Sequence, residues 1–326
     1  MELLLLEWLG KPVWMWAGFL TVVIALLALD LGLFNRRDHE IGVRESLALS
    51  AFYVAVALAF GAWLWSSQGA DSAVEYLTAY AVEKSLAMDN VFVIALIFSA
   101  FSVPRLYQHR VLFWGVLGVI VLRAIMIGGG AVLVARYHWV LYLFAGFLIL
   151  TGVKMFFARG EETDIADNAL LKWFRRRMRV TNDLHGHAFF VRTKSRRSGE
   201  VKLHATPLFL ALVTIEIADV IFAVDSVPAV FAITTDAYVV YTSNIFAILG
   251  LRALYFALAA VIHRFAYLKQ ALAVLLVFIG GKVFAAPLLG IEKVPPAVSL
   301  SVTAAILATG VVWSLWRTRA EAGPPR

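Results

Sequence analysis

The chain has 326 residues, 61% of them hydrophobic and 16% charged, with a formal net charge of +7 and no cysteine. With several apolar runs of about 20 residues, this composition excludes a soluble domain and describes a polytopic membrane protein. Lack of cysteine excludes disulfides and thiolate ligands, so any metal here must be held by oxygen, nitrogen or thioether donors. The positive charge lies mostly between the apolar runs, where topology rather than nucleic acid calls for it.

In chain order the apolar runs predict nine spans, at 13–34, 45–65, 76–102, 111–135, 138–158, 207–232, 243–263, 268–288 and 296–316. The first is too long for the apolar core of a signal peptide and no small-residue cleavage site follows it, so it is expected to remain in the mature chain. It carries Asp30, in ALDLGLF, near its inner end. Lys and Arg concentrate on one side: Arg36, Arg37 and Arg44, Arg105 and Arg110, eleven between Arg159 and Lys202, Arg264 and Lys269, and Arg317, Arg319 and Arg326. The other side has Lys11, Arg136 and Lys293. The positive-inside rule therefore predicts the amino terminus outside and the carboxyl terminus in the cytoplasm.

The long connection, 159–206, is predicted to be cytoplasmic. Ala166 to Val180 reads as a basic amphipathic helix suited to a membrane surface. FFVR at 189–192 and VKLH at 201–204, separated by a turn containing Ser198 and Gly199, read as a small hairpin. His185, His187 and His204 lie in this segment without the spacing of metal ligands.

An internal repeat runs through the rest. With Asp89-Asn90 set against Asp225-Ser226, Glu83 falls opposite Asp219; the following spans pair Arg123 with Arg252 and Lys154 with Lys282. The unit has three spans, so the second copy enters the membrane from the opposite side. The chain is thus read as helices 1–74, a first repeat 75–158, the basic loop 159–206, an inverted second repeat 207–288 and a last helix with its tail, 289–326. Inverted repeats with a polar site at the midplane are the architecture of many secondary transporters.

The two matched segments, EKSLAMDNVFVI at 83–94 and EIADVIFAVDSVPAV at 216–230, place Glu83, Asp89, Glu216, Asp219 and Asp225 in apolar surroundings. Each such carboxylate costs at least about 2.5 to 3.5 kcal/mol near a bilayer centre, so a common cation is the least expensive partner for the set. Glu216 and Asp219 are three apart and share a helical face, whereas Asp225 turns away. A break at Pro228, freeing the Val224 carbonyl, is expected to bring it back. Asn90 and Ser226 add neutral oxygen donors, a set suited to magnesium, calcium or manganese. Met88 is a possible thioether ligand, although a methionine in an apolar helix more often packs. Lys84, Arg123, Lys154, Arg252 and Lys282 are expected to balance the acids when no ion is bound, and Asp236 is expected to be an inert loop acid.

EKSLAMDNVFV, VLRAIMI, TGVKMFF, EIADVIFAVDSVPAVFAITTD and TSNIFAILGLRALYF resemble the TerC family of bacterial membrane proteins, and especially its Alx branch, over essentially 13–316. The resemblance implies a multi-pass inner-membrane protein linked to tellurium resistance, alkaline response and manganese export. It also implies that Glu83, Asp89, Asn90, Glu216, Asp219, Asp225 and Ser226 are the acidic-motif residues. The expected activity is export of a divalent cation, manganese first, with protons as counter-ion. The expected partners are the lipid bilayer and that cation, with no nucleic acid and no resident cofactor. The alternatives are a non-transporting scaffold or redox modulator in tellurium resistance, and an aspartyl protease, for which the Gly-x-Gly-Asp context is missing at Asp89 and Asp225.

Overall fold

Apolar runs punctuated by proline and glycine become helices in the computed structural model, which describes residues 7–32, 42–157, 180–181, 184–194, 201–259, 268–291 and 294–321. The helices are α1 (Val13–Gly32), α2 (Val43–Gln68), α3 (Ala70–Ala100), α4 (Arg105–Arg136), α5 (Val140–Phe157), α6 (Pro207–Phe231), α7 (Ala237–Leu249), α8 (Leu251–Ala259), α9 (Leu268–Leu288) and α10 (Pro296–Glu321). Proline stands where a helix start tolerates it, at position 104 before α4 and as the first residue of α6 and α10. Gly69, at φ 94°, turns the chain between α2 and α3, a conformation that disfavours a side chain.

By length and composition seven segments can cross a membrane: α2, α4, α5, α6, the α7–α8 pair, α9 and α10. The shorter apolar α1 and the 31-residue α3, whose charged residues set it apart, stand beside these seven, a set consistent with the nine crossings expected. Exposed tryptophans gird the two ends, Trp14, Trp65 and Trp139 at one and Trp114, Trp313 and Trp316 at the other, as rings at the two membrane interfaces do.

A helix that is apolar on all sides must be buried, and Ala237–Ala257 is the clearest case, 94% buried. Tyr238 and Phe246 of α7 meet Trp16 and Phe19 of α1, Phe60 of α2 and Tyr76 of α3 in a connected aromatic cluster. At that end Lys11, in the short β1–β2 hairpin (Glu7–Trp8, Lys11–Pro12), pairs with Asp236 at 2.9 Å and donates to Gln68. Asp236 is therefore not an inert loop acid: its carboxylate also caps α7, accepting from the Tyr238 and Val239 amides.

Two expectations are corrected. α6 runs unbroken through Pro228 and ends three residues later, so the proline marks an exit from the helix rather than an unwound centre. The break falls instead in the seventh span, where Gly250 separates α7 from α8. α3 also begins at Ala70 instead of 76, which brings Glu75 into the helix.

Contacts come in matched sets. α3 packs on α7 as α6 packs on α4, and α5 lies along α9. In that last contact a Cβ on Gly152 would lie 2.7 Å from the Ala273 carbonyl, and one on Gly280 would lie 2.5 Å from the Ala145 carbonyl. Gly152 and Gly280, and Ala145 and Ala273, are equivalent in the repeat alignment, so the two helices touch through one contact written twice.

The hairpin of the long connection forms as β3 (Phe190–Lys194) and β4 (Val201–Ala205), antiparallel with Phe190 opposite Ala205. It docks on the bundle through Phe190 against Phe209, Arg110 over Phe189, and Thr206 donating to the Ala188 carbonyl. The basic amphipathic helix expected at 166–180 lies, apart from Val180, outside the described residues.

Candidate intramembrane cation site

Helical spacing puts Glu83 and Asn90 of α3 on one face, seven residues apart, and puts Asp219 and Ser226 of α6 likewise. Because α3, α4, α6 and α7 pack together, these faces meet around Arg123 of α4. The guanidinium binds Asp219 in bidentate fashion, Nε to Oδ2 at 3.2 Å and Nη2 to Oδ1 at 3.1 Å. Its Nη1 donates to Glu83 Oε2 at 2.8 Å, to Ser226 Oγ at 3.1 Å and to Asn244 Oδ1 at 3.4 Å. Asn244 completes the ring by donating Nδ2 to Glu83 Oε1 at 2.8 Å, and Asn90 donates to Asp219 Oδ1 at 3.5 Å. All six side chains are buried, from 0% exposed at Asn244 to 6% at Asp219 and Asn90.

Two carboxyl groups face one guanidinium here. Burying an ion pair is tolerable only when the remaining donors and acceptors are also satisfied. The amides and the hydroxyl do this. The guanidinium is thus met by four oxygen-bearing side chains, two carboxylates, the Asn244 amide carbonyl and a hydroxyl, with Asn90 donating its amide to the Asp219 carboxylate beside them. That is the donor chemistry of a hard divalent cation. Among the described residues no three His, Asp or Glu side chains are gathered closely enough to hold a metal, so an ion here would rely on the amides and Ser226 as well.

Of the other expected site residues, Glu216 lies apart, against Gly115 and Gly118 of α4, with a buried Oε2 that has no hydrogen-bond partner. A Cβ at position 118 would collide with that carboxylate. Asp225 accepts from Thr151 of α5 at 3.3 Å. Lys84 turns to the end of α7, donating to the Ala247 carbonyl at 3.3 Å, where a cation meets the negative end of the helix dipole. Gly250 makes room for it, since a Cβ there would lie 2.6 Å from Nζ. Arg252 is buried on α8 and Lys154 is exposed, whereas Lys282 donates to Ser299 of α10 at 2.9 Å. The side chains of Asp30, Met88 and Asp89 lie outside the described residues.

Asn244 is a site residue that spacing alone did not single out. Its signal was the Thr-Ser-Asn run at 242–244, three buried polar residues in succession within the apolar α7.

The family model described as integral membrane protein TerC family matches residues 68–322. An uncharacterized membrane protein of Myxococcus xanthus is 48% identical over 310 residues, 95% of this chain and 94% of its own. One from Rickettsia bellii is 46% identical over 302 residues, 93% of this chain and 97% of its own. An Escherichia coli K12 protein named "Putative membrane-bound redox modulator Alx" is 47% identical over 316 residues, 94% of this chain and 95% of its own. No solved structure matches. With the family model spanning most of its length and full-length relatives at this identity, the chain belongs to the TerC family of integral membrane proteins.

Proposed function

We propose that this protein exports a divalent cation, manganese, from the cytoplasm of a bacterial cell across the inner membrane, and that it is not an enzyme. The observation that carries this reading is the set of Glu83, Asp219, Ser226 and Asn244 closed around Arg123 inside the bundle, with Asn90 bonded to Asp219. In this state the protein's own cation satisfies the site. Entry of the cargo displaces the guanidinium, and the carboxylates pass from arginine to metal.

The reading also holds that 75–158 and 207–288 are an inverted pair whose relative rocking opens the site to either side, with the amino terminus outside. Supporting it are the reciprocal Gly152–Ala273 and Gly280–Ala145 contacts and the general use of such pairs for alternating access. Because carboxylates must be deprotonated to bind metal, binding and efflux should rise from mildly acidic to alkaline pH, with protons moving opposite to the metal.

The name carried by the Escherichia coli relative favours a second reading, a redox modulator. With no cysteine this chain has no thiol to exchange, so any redox effect would follow from metal supply or from an assembled partner. That version keeps the tellurium link without transport. Flux in sealed proteoliposomes across a panel of divalent cations separates the two. Saturable manganese flux that Asp219→Asn abolishes in a folded protein supports the exporter; no flux for any cation sinks it.

A further inference from the structure

Exposed apolar residues are expected where helices meet lipid, but the β3–β4 hairpin lies outside the spans and has them too. Pairing sets Phe190 opposite Ala205 and Arg192 opposite Leu203, and alternate residues of a strand share a face, so these four lie on one side of the sheet. Ala205 is buried, whereas Leu203 is 61% exposed, Phe190 is 44% exposed and Arg192 stands exposed beside them. The two strands carry Arg192, Lys194 and Lys202 and no acidic residue. A contiguous apolar face of this kind marks contact with a protein or with a membrane.

Its place in the fold decides between them. Phe190 meets Phe209 of α6, ring centroids 4.5 Å apart. Val213, Val220 and Val224 lie within about 60° of Phe209 around the helix, and Val224 and the adjacent Ile221 are among its most exposed apolar residues. Phe190 thus covers the first residue of a stripe that faces lipid. The depth agrees. Gly115, next to the exposed interfacial Trp114, faces α6 so closely that a Cβ there would lie 3.8 Å from Leu212. Phe209 precedes Leu212 by three residues, about 4.5 Å farther out along the axis, which is headgroup depth in a bilayer whose polar layers are roughly 5 to 7 Å thick. Thr206 donating to the Ala188 carbonyl at 2.7 Å, and Arg110 of α4 over Phe189, hold the hairpin at that level.

We propose that this face of the hairpin binds anionic phospholipid, with Arg192 on the headgroup phosphate and Phe190 and Leu203 against the first carbons of the acyl chains. Continuity with the lipid-facing stripe of α6 favours a leaflet over a protein, and the wholly basic charge of the strands selects an anionic one. A single basic residue at such a surface enriches anionic lipid about fivefold. The hairpin rests on α4 and α6, the helices that carry Arg123 and Asp219, so a lipid held here bears on both. This surface is independent of the exporter reading.

Absence of cysteine makes a single introduced thiol a clean reporter. Leu203→Cys, labelled with bimane, is placed in the full-length protein in nanodiscs of mixed phosphatidylglycerol and phosphatidylcholine, with one lipid or the other brominated near the headgroup end of its acyl chains. Quenching by both lipids is expected, with phosphatidylglycerol enriched at the label about fivefold over its share of the disc. Arg192→Gln should bring that enrichment close to one, Arg192→Lys should retain it, and raised salt should reduce it. Both altered positions are exposed, so the fold does not depend on them. No quenching by either lipid overturns the proposal: if iodide then quenches, the face is in water, and if iodide does not, a protein neighbour covers it. Equal quenching by the two lipids, or enrichment that Arg192→Gln leaves unchanged, overturns it as well. The measurement needs no transport, so its failure leaves the exporter reading untouched.

Discussion

Arg123 is the residue on which the interior depends most. Its guanidinium is the counter-charge given to both Glu83 and Asp219 by short bonds, all three groups nearly free of solvent. Removing one partner of such a set costs about 3 to 5 kcal/mol, because charge is left buried and unmatched. Arg123→Gln should therefore lower the thermal midpoint sharply in detergent without metal, and added manganese should recover more stability in that variant than in the wild type. A uniform metal effect in both proteins would count against exchange between arginine and ion. Asp236 has a smaller role than these but a definite one. Asp236→Ala removes the α7 cap and the Lys11 partner and should cost about 0.5 to 2 kcal/mol, read as a lowered midpoint with manganese flux per folded molecule unchanged.

The residue scale is also where sequence reasoning was most uneven. Glu83, Asn90, Asp219 and Ser226 announced themselves as polar groups repeated in apolar runs, and Arg123 by its match to Arg252. That Glu75 belongs to α3 was hidden because hydropathy trims a helix where charges begin, and α3 extends six residues beyond its apolar part, to Ala70. The scatter of Glu216 and Asp225 was legible in the angle between their positions. The remedy proposed for it was not, because a proline near a helix end costs little and α6 had no need to break.

At the scale of elements, two contacts set how the helices lie. α5 and α9 approach through Gly152 and Gly280, where each backbone nearly touches the other, the use of small residues typical of membrane interfaces. Gly152→Ala or Gly280→Ala would force the pair apart at a cost of about 1 to 3 kcal/mol. Because the contact is reciprocal, the two variants should shift the thermal midpoint by similar amounts; a silent partner to a damaging change would show that the contact is not equivalent in the two halves. Gly250 acts differently, admitting Lys84 to the Ala247 carbonyl at the end of α7. Gly250→Ala should displace the ammonium, and the double variant Gly250→Ala/Lys84→Met should be less damaged than the sum of the single changes, as double-mutant cycles find for touching residues. Strict additivity in thermal midpoints would mean that the two do not meet.

For the whole molecule, hydropathy was enough to predict a bundle of apolar helices and their order, and two short alternating runs around a polar turn were enough to predict the hairpin in the long connection. What they did not contain is which side chains meet, since that depends on packing between elements far apart in the chain: Asn244 reaches Glu83 across 161 residues. On the exporter reading, one intramembrane site holds either Arg123 or the cargo. Electron paramagnetic resonance of manganese(II) bound to the protein in nanodiscs is the sharpest test. Glu83→Gln and Asp219→Asn should each lose the bound ion, while Arg123→Gln, if folded, should bind it at least as tightly as the parent. Parental binding in both acid variants, or loss of binding on removing Arg123 from a folded protein, would contradict it.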